Sequence, residues 1–238
     1  MKELPKNIYI IGAGGVTSYL LPPLLKTLSF HSKRIPVISI FDGDKLEERN
    51  WERQFFPIST IKRKMNKAVA LAMTYKHEYR GGLIAIPQYF HAGVEFDQGG
   101  LVFACVDNHA ARRAILSTCD RNYCNAIIAA NEYTDSQAIW YNCFSHDTNK
   151  DPRIRYPEIM TDDIGDPIRP RGCNTGQSLM VAPQLAIANF TAASHALQLF
   201  WFYYFVAPEM EESSRPEWPI EHNNNINKLS TMTEKIYD

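Results

Sequence analysis

Asn7-Ile8-Tyr9-Ile10-Ile11-Gly12-Ala13-Gly14-Gly15 is the stretch on which the fold turns. From Ile8 to Ile11 the run is apolar with no polar alternation, and glycines stop it. A run of that kind reads as a strand buried on both faces, as parallel sheets require. The segment behind the glycines, Val16 to Leu28, has the apolar spacing of a helix. Pro22-Pro23 lies inside it. Proline lacks the backbone donor and clashes with the carbonyl four residues back, so a kink or a shortened helix is expected.

Outward from this unit the same alternation repeats. Val37 to Phe41 reads as a second buried strand, ending in Asp42-Gly43-Asp44, and Lys62 to Tyr79 as a helix. Leu83 to Ile86 and Leu101 to Val106 are strands, Asn108 to Tyr123 a helix, and Ala126 to Ala130 another strand. Gln137 to Phe144 alternates as a half-exposed strand does. Strands alternating with helices at this spacing imply crossover units. The expected fold is α/β: a Rossmann-like, doubly wound, mainly parallel sheet with an additional antiparallel C-terminal portion.

Ser145 to Gly172 differs in kind, with four prolines, many charges and no periodicity, which marks a functional or disordered loop. Met180 to Val206 returns as an apolar helix with Pro183 near its start, where proline is tolerated. From Glu209 onward seven acidic residues face three basic ones, so 209–238 reads as a polar acidic tail, flexible in its simplest reading.

Composition excludes several classes. The 238 residues carry 25 basic and 26 acidic side chains, a net charge of −1, so no global cationic surface supports nucleic-acid binding. The longest apolar stretch, Ala196 to Ala207, is too short to span a bilayer, and no membrane partner is expected. Five cysteines, an odd number, argue against a disulfide framework and for a reducing, cytoplasmic setting. Cys105, Cys119 and Cys124 read as core residues, since free cysteine behaves as a small hydrophobe.

The chemistry-bearing residues gather at strand ends. Glycines at Gly12, Gly14 and Gly15 let a backbone approach a nucleotide at a helix N-terminus. The sixth position of the dinucleotide fingerprint is Thr17, and Asp42 lies 30 residues after Gly12, where a dinucleotide site wants its acidic residue about 20 on. A nicotinamide-dependent oxidoreductase therefore fits loosely. In the block from Asp42 to Gln54 a carboxylate can take ribose hydroxyls, and Asn50 and Arg53 are spaced to share one face of a helical turn and reach phosphates. Lys67 adds a point charge. Asp107, followed by Asn108, ends another strand and can hold magnesium beside a triphosphate, although either residue can instead cap the next helix.

Taken together and in order, these motifs resemble the ThiF/MoeB/ubiquitin-activating-enzyme superfamily of adenylyltransferases. Its glycine loop is matched by Gly12 to Ser18. Its aspartate-rich block is matched by Asp42, Asp44, Asn50, Arg53 and Gln54, its phosphate-binding lysine by Lys67, its magnesium-binding aspartate and asparagine by Asp107 and Asn108, with Arg112 downstream, and its later helix by Ser178 to Pro183 and beyond. The resemblance implies ATP and Mg2+ as cofactors and adenylation of the C-terminal carboxylate of a small β-grasp, ubiquitin-like or sulfur-carrier-like protein. Arg53, Lys67 and Asp107 are then catalytic, and Cys173, between Arg171 and the following helix, is the cysteine that accepts the activated partner. It also implies residues 1–208 as the adenylation domain with 145–177 as the crossover and active-site loop, a homodimer, and a conjugating enzyme as a further partner.

Departures from the family qualify the picture. No two cysteines stand three apart, so the paired motif for structural zinc is missing and no structural zinc is expected. Thr17 replaces a loop glycine, Arg49 replaces the motif serine, and the first strand starts too early for the N-terminal arginine segment of many members. A catalytically weak, partner-binding scaffold is the alternative from another class, and activation of a tRNA or a peptide is a third reading.

Overall fold

The computed structural model describes residues 3–31, 34–131, 135–145, 150–161, 186–210, 221–225 and 230–234. Within these, eight strands form one sheet: β1 (Asn7–Ile11), β2 (Val37–Phe41), β3 (Leu83–Ile86), β4 (Leu101–Ala104), β5 (Asn125–Asn131), β6 (Asp135–Tyr141), β7 (Glu221–Asn225) and β8 (Ser230–Glu234). Their order is β3-β2-β1-β4-β5-β6-β7-β8. The first five are mutually parallel, with Ile10 opposite Ile40 and Phe103. The last three join antiparallel. The expected parallel sheet with an antiparallel C-terminal portion is the observed one.

Helices cover both faces. On one side α1 (Gly15–His31), α3 (Lys67–Tyr75) and α7 (Ala186–Trp201) pack Leu20, Leu24, Leu71 and Phe200 against Ile10, Ile40 and Phe103. On the other, α4 (His109–Asn122) and the short α6 (Glu158–Thr161) bury Ile115, Leu116 and Ile159 against Val102, Ile128 and Tyr141. Burial on both faces is why the strands read as unbroken apolar runs. No helix among the described residues is long and apolar enough to cross a membrane.

Several boundaries differ from the sequence reading. Helix α1 runs through Pro22 and Pro23 without shortening, because Leu20, Leu21, Leu24 and Leu25 on either side of the pair are buried and hold the turns in place. The helix expected over 62–79 is two pieces, α2 (Ile58–Lys62) and α3, parted where Lys64 turns left-handed at φ 49° and Asn66 caps the second by accepting the Val69 amide. Short α5 (Pro152–Arg155) and α6 lie in the proline-rich stretch.

Within the stretch read as a polar tail, 221–225 and 230–234 are strands of the sheet. A buried polar network holds the first of them. Glu221 is fully buried and accepts from Arg155, at 2.8 and 3.2 Å, from Gln137 and Asn223, and from the Tyr156 hydroxyl. Its sequence polarity concealed these partners.

Candidate functional site

The strand order reverses direction between β1 and β4, and open α/β sheets bind ligands outside the carboxyl ends of their strands at such a point. Gly12 follows β1 there, Asp42 follows β2 and Asp107 lies just past β4.

Each glycine has its own reason. Gly12 sits at φ +91°, and a Cβ on it would come within 2.5 Å of the Cys105 carbonyl oxygen, so the β1 and β4 exits touch only because Gly12 lacks a side chain. Gly15 accommodates the Asn189 amide of α7, which a Cβ would meet at 2.3 Å. At Gly14 nothing lies within 4 Å of the Cβ position, so this backbone borders open space.

Asp42 stitches the glycine loop to the block after β2. Its carboxylate accepts the Ala13 amide through one oxygen and the Asp44 amide through the other, both at 2.7 Å. Burial raises its carboxyl above the usual range, opposed by Lys67 and by the two amides. For Asp44, burial works in the same direction, but the charge of Lys67 and hydrogen bonds from Lys67 and Tyr89 prevail and hold the carboxyl low. Lys67 Nζ lies 2.8 Å from Asp44 Oδ2, and the Tyr89 hydroxyl donates to Oδ1 at 2.5 Å. Asn66 donates to the backbone carbonyls of both aspartates.

The rest of the block divides. Asn50 is buried and its Oδ1 accepts the Glu47 amide, closing the 3-10 turn over Glu48–Glu52. Arg49 pairs with Glu47 at the surface. Arg53 and Gln54 are placed differently. Arg53 is half-buried, makes no ion pair among the described residues, and its Nε is buried without a hydrogen-bond partner, as is Gln54 Oε1. Burial pulls the Arg53 guanidinium below its ordinary value, with Arg49 acting the same way and Asp107 opposing.

The capping question at β4 resolves in favour of Asn108. Its Oδ1 accepts the Ala111 amide at 2.7 Å and starts α4. Asp107 is exposed and makes no hydrogen bond among the described residues. Its charge acts on both Arg53 and Tyr89, and parallel pairing puts the exits of β3, β2, β1 and β4 along one edge of the sheet. Arg112 turns away, donating to the Val106 carbonyl.

The crevice therefore gathers Gly12, Gly14, Asp42, Asp44, Arg53, Gln54, Lys67 and Asp107, while Gly15, Asn50 and Asn108 serve the scaffold around it. The fold resembles that of MccB. The chain aligns with E. coli MccB bound to ATP at a TM-score of 0.65 and 15% identity, over 97% of this chain and 63% of that one. MccB in complex with AMPCPP and MccA matches at 0.63 and 14%, over 97% and 63%. PaaA matches at 0.61 and 14%, over 98% and 64%. The likeness is one of fold, and the chain spans slightly under two thirds of the length of these structures. No family model and no curated protein matches the sequence.

Tyr89 and Ser18 complete the crevice. Ser18, part of the glycine-loop motif, donates to the Gly15 carbonyl and accepts the Phe55 amide, tying α1 to the block after β2. Tyr89 was missed by sequence reasoning, and the only signal was an aromatic three residues beyond β3. Cys173 and Ser178 to Pro183 lie outside the described residues. Cys119 and Cys124 are buried in the core, and burial pushes the Cys105 thiol up to about 12 against a hydrogen bond from Thr17.

Proposed function

We propose that this chain is an ATP-dependent adenylyltransferase that activates the C-terminal carboxylate of a small ubiquitin-like, β-grasp protein. One observation carries the reading: among the described residues Arg53 is half-buried in no ion pair, with its Nε buried and lacking a hydrogen-bond partner, and it feels the charge of an exposed Asp107 that accepts no hydrogen bond, at the switch point of the sheet. A buried cation without a partner is costly. A polyphosphate supplies what Arg53 lacks. MccB structures hold ATP or AMPCPP on a similar fold, which supports the nucleotide.

The residues suit the chemistry. The partner's carboxylate oxygen attacks the α-phosphorus, the bond to the bridging oxygen breaks, and pyrophosphate leaves with the displaced electron pair. In such reactions the protein positions groups and neutralises charge. Arg53 and Lys67 meet the departing phosphates, the latter by exchanging Asp44 for them. Backbone at Gly14 lies alongside, and Asp42 or Asp44 takes the ribose. Magnesium fits the donor set, since it prefers one or two carboxylates together with phosphate oxygens and the exposed Asp107 carboxylate accepts no hydrogen bond among the described residues. Among the described residues no group of three metal-ligating side chains exists, so phosphate oxygens would complete its shell.

The same proposal includes attack of the Cys173 thiolate on the acyl-adenylate, which forms a thioester and releases AMP, and thioester exchange onward to the thiol of a conjugating enzyme. It also includes a homodimer, supported by the exposed Trp51, Phe55 and Phe190 beside the crevice, at 63%, 58% and 57% exposure. A single monomer mass at all concentrations would remove it. The MccA-bound structures of MccB favour a second reading, in which the substrate is of the MccA kind.

ATP–pyrophosphate exchange driven by candidate partners tests the central reaction. Asp107→Ala is expected to abolish exchange while leaving thermal stability unchanged, and full exchange in that variant overturns the assignment. Cys173→Ala is expected to keep exchange and lose any reducible covalent adduct.

A further inference from the structure

We infer that Tyr89 forms the wall against which the nucleoside of the bound nucleotide packs, a contact to base and sugar and not to phosphate. This rests on the nucleotide-binding reading above and adds to it the residue that recognises the nucleoside. Tyr89 is 46% exposed although it stands among polar groups at the mouth of the crevice. One side of its ring lies flat on Gly43, where a Cβ would meet ring carbons at 2.6 to 2.8 Å. The Asp42-Gly43-Asp44 turn thus has a glycine because the ring occupies that space. The hydroxyl is fixed at 2.5 Å from Asp44 Oδ1, on the carboxylate that also holds Lys67.

The backbone makes this presentation rigid. Gln88 donates to the Ile86 carbonyl and turns the chain as β3 ends. The next residue after Tyr89, Phe90, packs inward against Phe41 and Phe96, with ring centroids 6.0 and 5.4 Å away. With Phe90 anchored below, Tyr89 is held above. Its hydroxyl is pushed up first by the Asp44 hydrogen bond and then by burial, with Asp42 and Asp107 adding. An aromatic ring braced on Gly43 and by its hydroxyl, still 46% exposed and flanked by carboxylates able to accept sugar hydroxyls, matches a nucleoside. Aromatic stacking of a base is sequence-tolerant and strong enough to measure.

Dissociation constants for ATP, AMP and inorganic tripolyphosphate, taken by calorimetry on the full chain, Tyr89→Ala and Tyr89→Phe, test this wall. Tyr89→Ala is expected to weaken ATP and AMP by about tenfold or more, the scale of one lost stacking contact, and to leave tripolyphosphate unchanged. Tyr89→Phe, which keeps the ring and loses the anchor, is expected to recover most of the affinity. Wild-type affinity for ATP in Tyr89→Ala overturns the inference while leaving nucleotide binding intact, as does equal weakening of all three ligands. Failure of the wild-type chain to bind ATP overturns both the inference and the function it rests on.

Discussion

The crevice at the ends of β1, β2 and β4 and the C-terminal half of the sheet are built from similar polar residues used in opposite ways. In the C-terminal half, charged groups are saturated. Arg153 reaches Asp120 and Asp151 at 2.6 Å each and donates to the Tyr141 hydroxyl, and Glu221 collects Arg155, Tyr156, Gln137 and Asn223. In the crevice Arg53 Nε and Gln54 Oε1 are buried without hydrogen-bond partners, and Asp107 accepts no hydrogen bond among the described residues. Saturated ion pairs hold the fold; Ser136 Oγ and His195 Nδ1 are also buried without a hydrogen-bond partner, so what distinguishes the crevice is a half-buried guanidinium in no ion pair among the described residues.

This contrast can be broken at the saturated end first. Glu221→Ala is expected to cost about 3–5 kcal/mol in urea unfolding, because it removes the buried acceptor shared by Arg155, Tyr156, Gln137 and Asn223. A loss below about 1 kcal/mol would show that the network contributes little. Gly12→Ala is expected to cost about 2–4 kcal/mol, since it forces a side chain into a left-handed residue against the Cys105 carbonyl. Calorimetric melting would reveal it, and an unchanged melting temperature would mean the β1 and β4 exits can separate freely.

A pH titration of stability sharpens the comparison within the C-terminal half. His195 on α7 is buried with its ring 5.2 Å from that of His222 on β7, and burial followed by the His222 charge pulls it from 6.5 to about 4. A depressed histidine is neutral in the folded state. Its contribution is fully present above pH 6.5, is lost as pH falls towards 4 while the unfolded chain takes up the proton, and is level below that. The expected loss is roughly 2 kcal/mol after allowing for partial solvent access. Subtracting a His195→Phe profile isolates it, and parallel profiles from pH 7 to 4 would assign acid sensitivity to other groups.

The smallest effect belongs to the crevice. Gly14→Ala meets nothing within 4 Å and is expected to change stability by no more than about 0.5 kcal/mol while weakening ATP binding. Unchanged ATP affinity would move the phosphates away from Gly14.

Much of the fold was legible because strands and caps are local. The unbroken run Ile8 to Ile11, the runs at 37–41 and 101–104, and the helical spacing after Asn108 identify their elements from immediate neighbours. What escaped was set by distant partners. Helix α1 passes Pro22 and Pro23 because core leucines flank them, and Glu221 enters the sheet because Arg155 meets it there. In the site, Asp42 and Asp107 could be named from their positions after strands, and Arg53 and Lys67 from the motif block that follows β2. That Asn50 closes a turn, that Asp44 carries Lys67, and that Tyr89 belongs to the crevice could not, since each depends on a hydrogen bond that side-chain type alone does not specify.

The sequence by itself determined a parallel, two-faced sheet with glycines and carboxylates at its strand ends, because periodicity and turn chemistry are properties of adjacent residues. Only the tertiary structure decided what each of those residues does. Gly12 yields to Cys105, Gly15 to Asn189 and Gly43 to Tyr89. Arg53 makes no ion pair among the described residues, and Arg153 is given three polar partners. The physical reason is that a polar group's role follows from whether its hydrogen bonds are met once water is excluded, and that depends on which distant segments pack beside it.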